Sequence, residues 1–134
     1  MTARFADTFF WLALLDRTDG HHAAATKHLD ASRDFFVTTR WVLAEVADAM
    51  CRPPLRAKAM AMIPRLASDP STIIVRGSDD LFDEGFKLYA DRSDKNWSLT
   101  DCISFVVMQR QNLREALTAD RHFEQAGFVA MFAE

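Results

Sequence analysis

The chain has 134 residues, with 19 Asp and Glu against 16 Lys and Arg and a formal net charge of −3. That length suits one domain, residues 1–134, which buries roughly two thirds of the surface exposed by its unfolded form. A hydrophobic fraction of 49% with 26% charged residues excludes a disordered chain, and the mild acidity excludes a bulk polycation that coats phosphates.

Two cysteines, Cys51 and Cys102, without a CxxC, make neither a disulfide framework nor a zinc site and fit a reducing compartment. The longest apolar stretch, Phe9 to Leu15, is too short to span a bilayer, and no basic segment precedes a signal-like apolar run. The expectation is a soluble, cytoplasmic protein without a membrane partner.

Four Gly and four Pro punctuate the chain sparsely, which favours helices over an all-β design. Arg4–Phe5–Ala6, ending at Asp7, predicts a first strand. Phe9 to Leu15 reads as the buried start of a helix or a structured loop. Asp19–Gly20 is a turn, and His22 to Ser32 an Ala-rich helix. Phe35 to Thr38 is aromatic and β-branched, a strand. Thr38 or Thr39 caps a helix from Trp41 to Cys51, which Pro53–Pro54 stops. Leu55 to Ala67 is helical, and Pro64 is expected to kink or divide it. Thr72 to Val75 is a third strand. Ser78 caps a helix reaching Ala90, with Asp79 and Asp80 in the turn where the helix dipole favours acids. Asp91 to Trp97 is a polar loop. Ser98 to Asp101 resembles a capping box with Asp in place of Glu and opens a helix to Gln111. Ala116 to Ala119 is a fourth strand, Arg121 to Ala126 a short helix ended by Gly127, and Phe128 to Phe132 a last strand. Strands alternating with helices predict an α/β layer fold with a mainly parallel sheet, whose site lies at the carboxyl ends of the strands.

Most of the acids are ordinary. Asp79, Asp80, Asp83 and Glu84 cluster at a helix start, and Asp16, Asp19, Asp30, Asp34 and Asp91 sit in polar turns. Four acids have apolar neighbours or stand at a strand end. Asp7 lies within Arg-Phe-Ala-Asp-Thr-Phe-Phe-Trp, where a lone ionised carboxylate is costly unless it caps the next helix. Glu45 projects from the apolar side of its helix, and an ion pair with Arg40 or Arg52 would explain it. Asp101 stands in a first helical turn, where the dipole alone favours it. Asp120 follows Ala-Leu-Thr-Ala, where capping alone also serves. A parallel sheet can bring all four to one crevice. There they repel one another and raise one another's pKa, a penalty that a hard divalent cation removes. Mg²⁺ or Mn²⁺ is the natural occupant, suited to phosphodiester cleavage.

The chain resembles the PIN-domain nucleases, and within them the small VapC-like toxins of toxin–antitoxin pairs. The matching pieces are Phe5-Ala6-Asp7-Thr8, Val42-Leu43-Ala44-Glu45-Val46, Trp97-Ser98-Leu99-Thr100-Asp101-Cys102, Leu117-Thr118-Ala119-Asp120-Arg121-His122-Phe123 and Ala126-Gly127-Phe128. The resemblance covers essentially the whole chain. It implies a three-layer, Rossmann-like α/β/α sandwich with an Mg²⁺ or Mn²⁺ site. Asp7, Glu45 and Asp101 match the three principal family acids and Asp120 the more variable fourth. Thr118 matches the hydroxyl residue that supports the last acid, and Ser98 is read as a similar support for Asp101. The implied chemistry is endonucleolytic hydrolysis of RNA to a 3′-hydroxyl and a 5′-phosphate. The implied partners are an RNA substrate, a second copy in a homodimer and a cognate antitoxin.

Other signals are fewer. No HExxH, GxGxxG or P-loop pattern occurs, and Ser104 and Cys102 lack the context of a nucleophile elbow. His122, two residues past Asp120, is a candidate to touch a phosphate. Arg40 and Arg52, with Arg4, Arg56, Lys58 and Arg65, are candidates for a basic rim. Trp97, in a polar loop before Asp101, is a candidate for base stacking, whereas Trp11 and Trp41 read as packing residues. The competing class is a non-catalytic PIN-like RNA-binding or scaffolding module. A receiver-like phosphoacceptor and a Toprim-type nuclease both need acidic pairs that this sequence lacks.

Overall fold

The computed structural model describes residues 2–31 and 35–134. Five strands, β1 (Ala3–Ala6), β2 (Phe35–Thr39), β3 (Thr72–Val75), β4 (Glu115–Leu117) and β5 (Val129–Ala130), pair in the order β3-β2-β1-β4-β5. Every pairing is parallel, with Phe5 of β1 opposite both Val37 of β2 and Ala116 of β4. The connecting helices are α1 (Thr8–Leu15), α2 (His22–Ala31), α3 (Arg40–Ala49), α4 (Leu55–Ser68), α5 (Asp79–Asp91), α6 (Leu99–Arg110) and α7 (Arg121–Gln125). Parallel strands require such crossovers, and the helices cover the sheet.

Local chemistry sets the helix starts. The Thr39 hydroxyl accepts from the Val42 amide at 3.1 Å to cap α3, and Ser78 does the same for Leu81 at the start of α5. Ser98 and Asp101 form a reciprocal capping box on α6, as the Ser-x-x-Asp spacing predicts. Segments without a polar face become the core. Phe10, Trp11 and Ala13 of α1 are buried, as is the run from Cys102 to Met108 in α6. Helices α5 and α6 meet where Gly85 lies so close to Ile103 that a Cβ at position 85 would stand 2.4 Å from Ile103 Cγ1.

The differences from expectation are local. Of the two readings left open for Phe9 to Leu15, the structure has the helix, within α1. α4 runs unbroken through Pro64, so the expected division does not occur. β4 and β5 are shorter than their apolar runs, although the Met131 and Phe132 amides still donate to the Ala116 and Thr118 carbonyls at 3.0 and 2.9 Å beyond the end of β5. Ser32, the predicted end of α2, and Asp34, assigned to a polar turn, lie outside the described residues. Among the described residues no helix is long and apolar enough to cross a membrane.

The strand order fixes where a site can form. The chain runs from β1 outward through β2 to β3, then returns to place β4 and β5 on the other side of β1. The order therefore reverses between β1 and β4, and a crevice opens at their carboxyl ends. Asp7 directly follows β1, and Thr118 directly follows β4.

Candidate functional site

A cleft of about 560 Å³ lies at this crevice, and Asp7, Glu45, Asp101 and Asp120 all line it. The structure thus brings together the four acids singled out in the sequence.

Asp7 is the most deeply placed, only 7% exposed. It occupies the N-cap position of α1, yet its side chain makes no capping bond. Instead Asp7 Oδ2 accepts the Thr118 hydroxyl at 2.9 Å. That hydroxyl in turn accepts the Asp120 amide at 3.1 Å, so its proton is directed to Asp7. Burial pushes the Asp7 pKa up to about 7, against the lowering by the Thr8 amide and the Thr118 hydroxyl; Asp101 and Glu45 add to the rise.

Glu45 Oε1 accepts the Thr8 hydroxyl at 2.6 Å. Among the described residues no ion pair joins Glu45 to Arg40 or Arg52, the partners that its sequence position suggested. Burial raises the Glu45 pKa; the Thr8 hydroxyl opposes that, and Asp101, Asp48 and Asp120 reinforce it. Thr8 was not singled out in the sequence. Its signal was a hydroxyl directly after Asp7, but its pairing with Glu45 depends on the packing of α1 against α3.

Asp101 Oδ2 accepts the Ser98 amide at 3.1 Å, and Ser98 Oγ accepts the Asp101 amide at 3.0 Å. The same carboxylate oxygen lies 3.0 Å from His122 Nδ1. Asp120 caps α7 by accepting the His122 amide at 2.8 Å, and its Oδ1 lies 3.4 Å from His122 Nδ1. Asp101, Asp120 and His122 each present one potential ligand atom, and all three atoms lie within 4.8 Å of one another. His122, expected only to meet a phosphate, thus stands among the carboxylates.

The donor set fits a divalent cation. Carboxylates crowded on one crevice, one of them pushed up to about 7 chiefly by burial, lack the positive charge that would ionise them all. Oxygen donors suit Mg²⁺ and Mn²⁺, and the imidazole admits a later first-row metal. Cys102, next to Asp101 in sequence, is buried, and burial and the Asp101 charge push its thiol up to about 11, which argues against its serving as a nucleophile.

The remaining sequence candidates lie elsewhere. Arg40 and Arg52 are exposed and do not line the cleft. Arg4 pairs with Glu115, while Lys58 and Arg65 border an apolar groove between α1 and α4. Trp97 corrects its expected role. Its ring is 6% exposed and packs edge-on against Phe105, with its indole N–H donated to Gln125 at 3.0 Å, so no free face remains for a base.

The PIN domain family profile matches residues 4–129. The chain belongs to the PIN domain family. Two relatives of this PIN domain, both 23S rRNA-specific endonuclease VapC20, come from Mycobacterium tuberculosis strains CDC 1551/Oshkosh and ATCC 25618/H37Rv. Each is 27% identical over 132 residues, which cover 97% of this chain and 98% of the relative. The crystal structure of Mycobacterium tuberculosis VapC20, a Sarcin-Ricin loop cleaving toxin, superimposes with a TM-score of 0.85 at 24% identity, covering 96% of this chain and 97% of that one. Rickettsia felis VapBC2 bound to a DNA fragment from its promoter gives a TM-score of 0.68 at 11% identity, with the same coverage. These likenesses establish the α/β PIN fold.

Proposed function

We propose that this PIN domain is a metal-dependent endoribonuclease that hydrolyses RNA phosphodiester bonds, and that it is the toxin of a toxin–antitoxin pair. The observation that carries the reading is the convergence of Asp7, Glu45, Asp101 and Asp120 on one cleft at the switch point between β1 and β4. Thr118, Thr8 and Ser98 hold Asp7, Glu45 and Asp101 toward the same cleft as Asp120, an arrangement that helix capping alone does not require and that favours catalysis over a scaffolding role. The relatives named as 23S rRNA-specific endonucleases support RNA, and ribosomal RNA in particular, as the substrate class.

Asp7, Glu45 and Asp101 would hold an Mg²⁺ or Mn²⁺ ion, with Asp120 and His122 lining the same cleft. Such an ion supplies positive charge to the phosphate oxygens and makes water acidic enough to attack near neutral pH. The protein's own groups prepare the site. Thr118 fixes the Asp7 carboxylate through a hydroxyl whose direction the Asp120 amide sets. The Ser98 capping box pins Asp101, and Thr8 pins Glu45. Asp120, 39% exposed and hydrogen-bonded to the His122 amide, is placed to accept a proton from a water in the cleft.

In the cell, we propose, the chain acts in the cytoplasm as a single domain over residues 1–134, forms a homodimer and is restrained by a cognate antitoxin. The VapBC2 complex from Rickettsia felis supports an antitoxin of that kind.

The test is cleavage of single-stranded RNA, tRNA and 23S rRNA by the purified, antitoxin-free chain with Mg²⁺ or Mn²⁺. Cleavage that EDTA abolishes and that Asp7→Asn and Asp101→Asn lose is expected. No cleavage of any RNA, or equal cleavage by the Asn variants, overturns the reading.

A further inference from the structure

The cleft poses an electrostatic problem. Its lining includes four acids and, among the described residues, no lysine or arginine. Bound metal answers for the scissile phosphate alone. The neighbouring phosphates of an RNA strand still need cations, because backbone charge dominates nucleic-acid affinity. The arginines that the sequence offered, Arg40 and Arg52, do not reach the cleft.

A second pocket, of about 690 Å³, adjoins the first and shares Asn96 and Ser98 with it as a common wall. Its size lies within the range of roughly 300–1,000 Å³ typical of ligand sites. Arg92 and Lys95 line it. Arg92 Cζ lies 5.1 Å, and Lys95 Nζ 6.0 Å, from the centroid of the Trp97 ring, so one buried indole orients both cations. Asp94 takes Arg92 Nε and Nη2 at 3.0 and 3.1 Å, which fixes the guanidinium further. Among the described residues Lys95 Nζ has no carboxylate partner. Tyr89 stands at the rim, 47% exposed, its ring stacked on Phe86 at 6.1 Å and so held in one orientation.

We propose that this pocket, formed by Tyr89, Arg92 and Lys95 over Trp97, is the subsite for the RNA strand flanking the scissile phosphate. Arg92 and Lys95 receive backbone phosphates, and Tyr89 offers a face on which a base stacks. Trp97, held by Phe105 and Gln125, acts through the two cations as a positioning residue. The inference rests on the endoribonuclease reading above and deepens it.

The test is the salt dependence of cleavage of a fluorescein-labelled RNA oligonucleotide by the whole chain with Mn²⁺. For single strands, each phosphate contact contributes about 0.7 to the slope of log affinity against log salt. Arg92→Gln and Lys95→Gln are each expected to lower that slope by about 0.7 and to raise KM several-fold, the loss falling on KM rather than kcat. Arg92→Lys, which keeps the charge, restores the slope. Tyr89→Ala raises KM and leaves the slope alone. Lys87→Gln, an exposed α5 lysine paired with Asp91 outside the pocket, changes neither. A wild-type slope and KM in both charge variants overturn the subsite while the nuclease reading stands. Absence of metal-dependent cleavage by the unaltered chain overturns both.

Discussion

The Thr118 hydroxyl reaches across 111 residues of sequence to donate to Asp7 at 2.9 Å, on the far side of the β1–β4 seam. Because the same oxygen accepts the Asp120 amide, its proton has one place to go. Thr118→Val keeps the shape and removes the bond. The buried Asp7 carboxylate then loses a donor that lowers its pKa, and its charged form becomes costlier. The expected outcome is a loss of about 10- to 100-fold in metal affinity or cleavage rate, the usual cost of removing a group that orients a ligand. Thr118→Ser should recover most of it. Titration with Mn²⁺ and cleavage kinetics on the pair measure both effects.

Asp7 also links function to stability. Its carboxyl is raised from 3.8 to about 7 in the folded chain, chiefly by burial. A raised acid binds more protons folded than unfolded between those values, so folding stability falls as pH rises through that window. At 1.36 kcal/mol per pKa unit the whole shift corresponds to roughly 4 kcal/mol. In EDTA, the melting temperature of the wild type should therefore decline from pH 4 to pH 7. Asp7→Asn, which accepts the Thr118 hydroxyl without a charge, should flatten that decline and melt higher at pH 7.5, while cleaving no RNA. Saturating Mn²⁺ should reverse the order of the two proteins. A wild-type melting curve indifferent to pH in EDTA would sink this account of the buried carboxylate.

The imidazole of His122 stands 3.0 Å from Asp101 and 3.4 Å from Asp120, near enough to add a nitrogen donor to the carboxylates of the cleft. Nitrogen donors favour later first-row ions, whereas Mg²⁺ takes oxygen. His122→Asn should weaken Ni²⁺ binding about tenfold or more and change Mg²⁺ binding by less than about threefold. Calorimetric titration with each ion separates the two. Equal losses for both metals would show that His122 only orients Asp101.

What the sequence revealed, and what it hid, divides by the range of the forces involved. Ser98 and Asp101 are three residues apart, and their mutual capping follows from spacing alone. β3 is legible for the same reason: Thr72–Val75 is β-branched throughout and bounded by polar residues. The four acids could be singled out because a carboxylate in apolar company needs a reason. Thr8 escaped notice since its partner, Glu45, is 37 residues away. Arg40 and Arg52 misled because charge spacing along a chain says nothing about which lip of a cleft it reaches. Trp97 misled because a polar loop conceals an indole whose packing partner, Phe105, lies on the helix that follows. Pro64 was expected to interrupt α4, yet the helix carries it, with Leu66 beyond it buried in the core.

The contact of α5 with α6 sets the platform for Asp101. Gly85 has no side chain, and a Cβ there would stand 2.4 Å from Ile103 Cγ1 and 3.2 Å from Ile103 Cα. The second distance involves backbone, so rotation of Ile103 cannot relieve it. Ala is the better helix former by about 1 kcal/mol, but overpacking at a close helix contact costs about 1–3 kcal/mol. Gly85→Ala should therefore lower thermal stability. Ile103 is two residues beyond Asp101 on α6, so a displaced α6 should also weaken Mn²⁺ affinity. In a double-mutant cycle with Ile103→Ala the combined loss should be smaller than the sum, because the truncation removes the 2.4 Å Cγ1 clash and leaves the milder contacts with Cα and Cβ at 3.2 and 3.3 Å. Additive losses, or a Gly85→Ala chain that melts at the wild-type temperature, would mean that α5 lifts away from α6 without strain and that Gly85 does not set the position of Asp101.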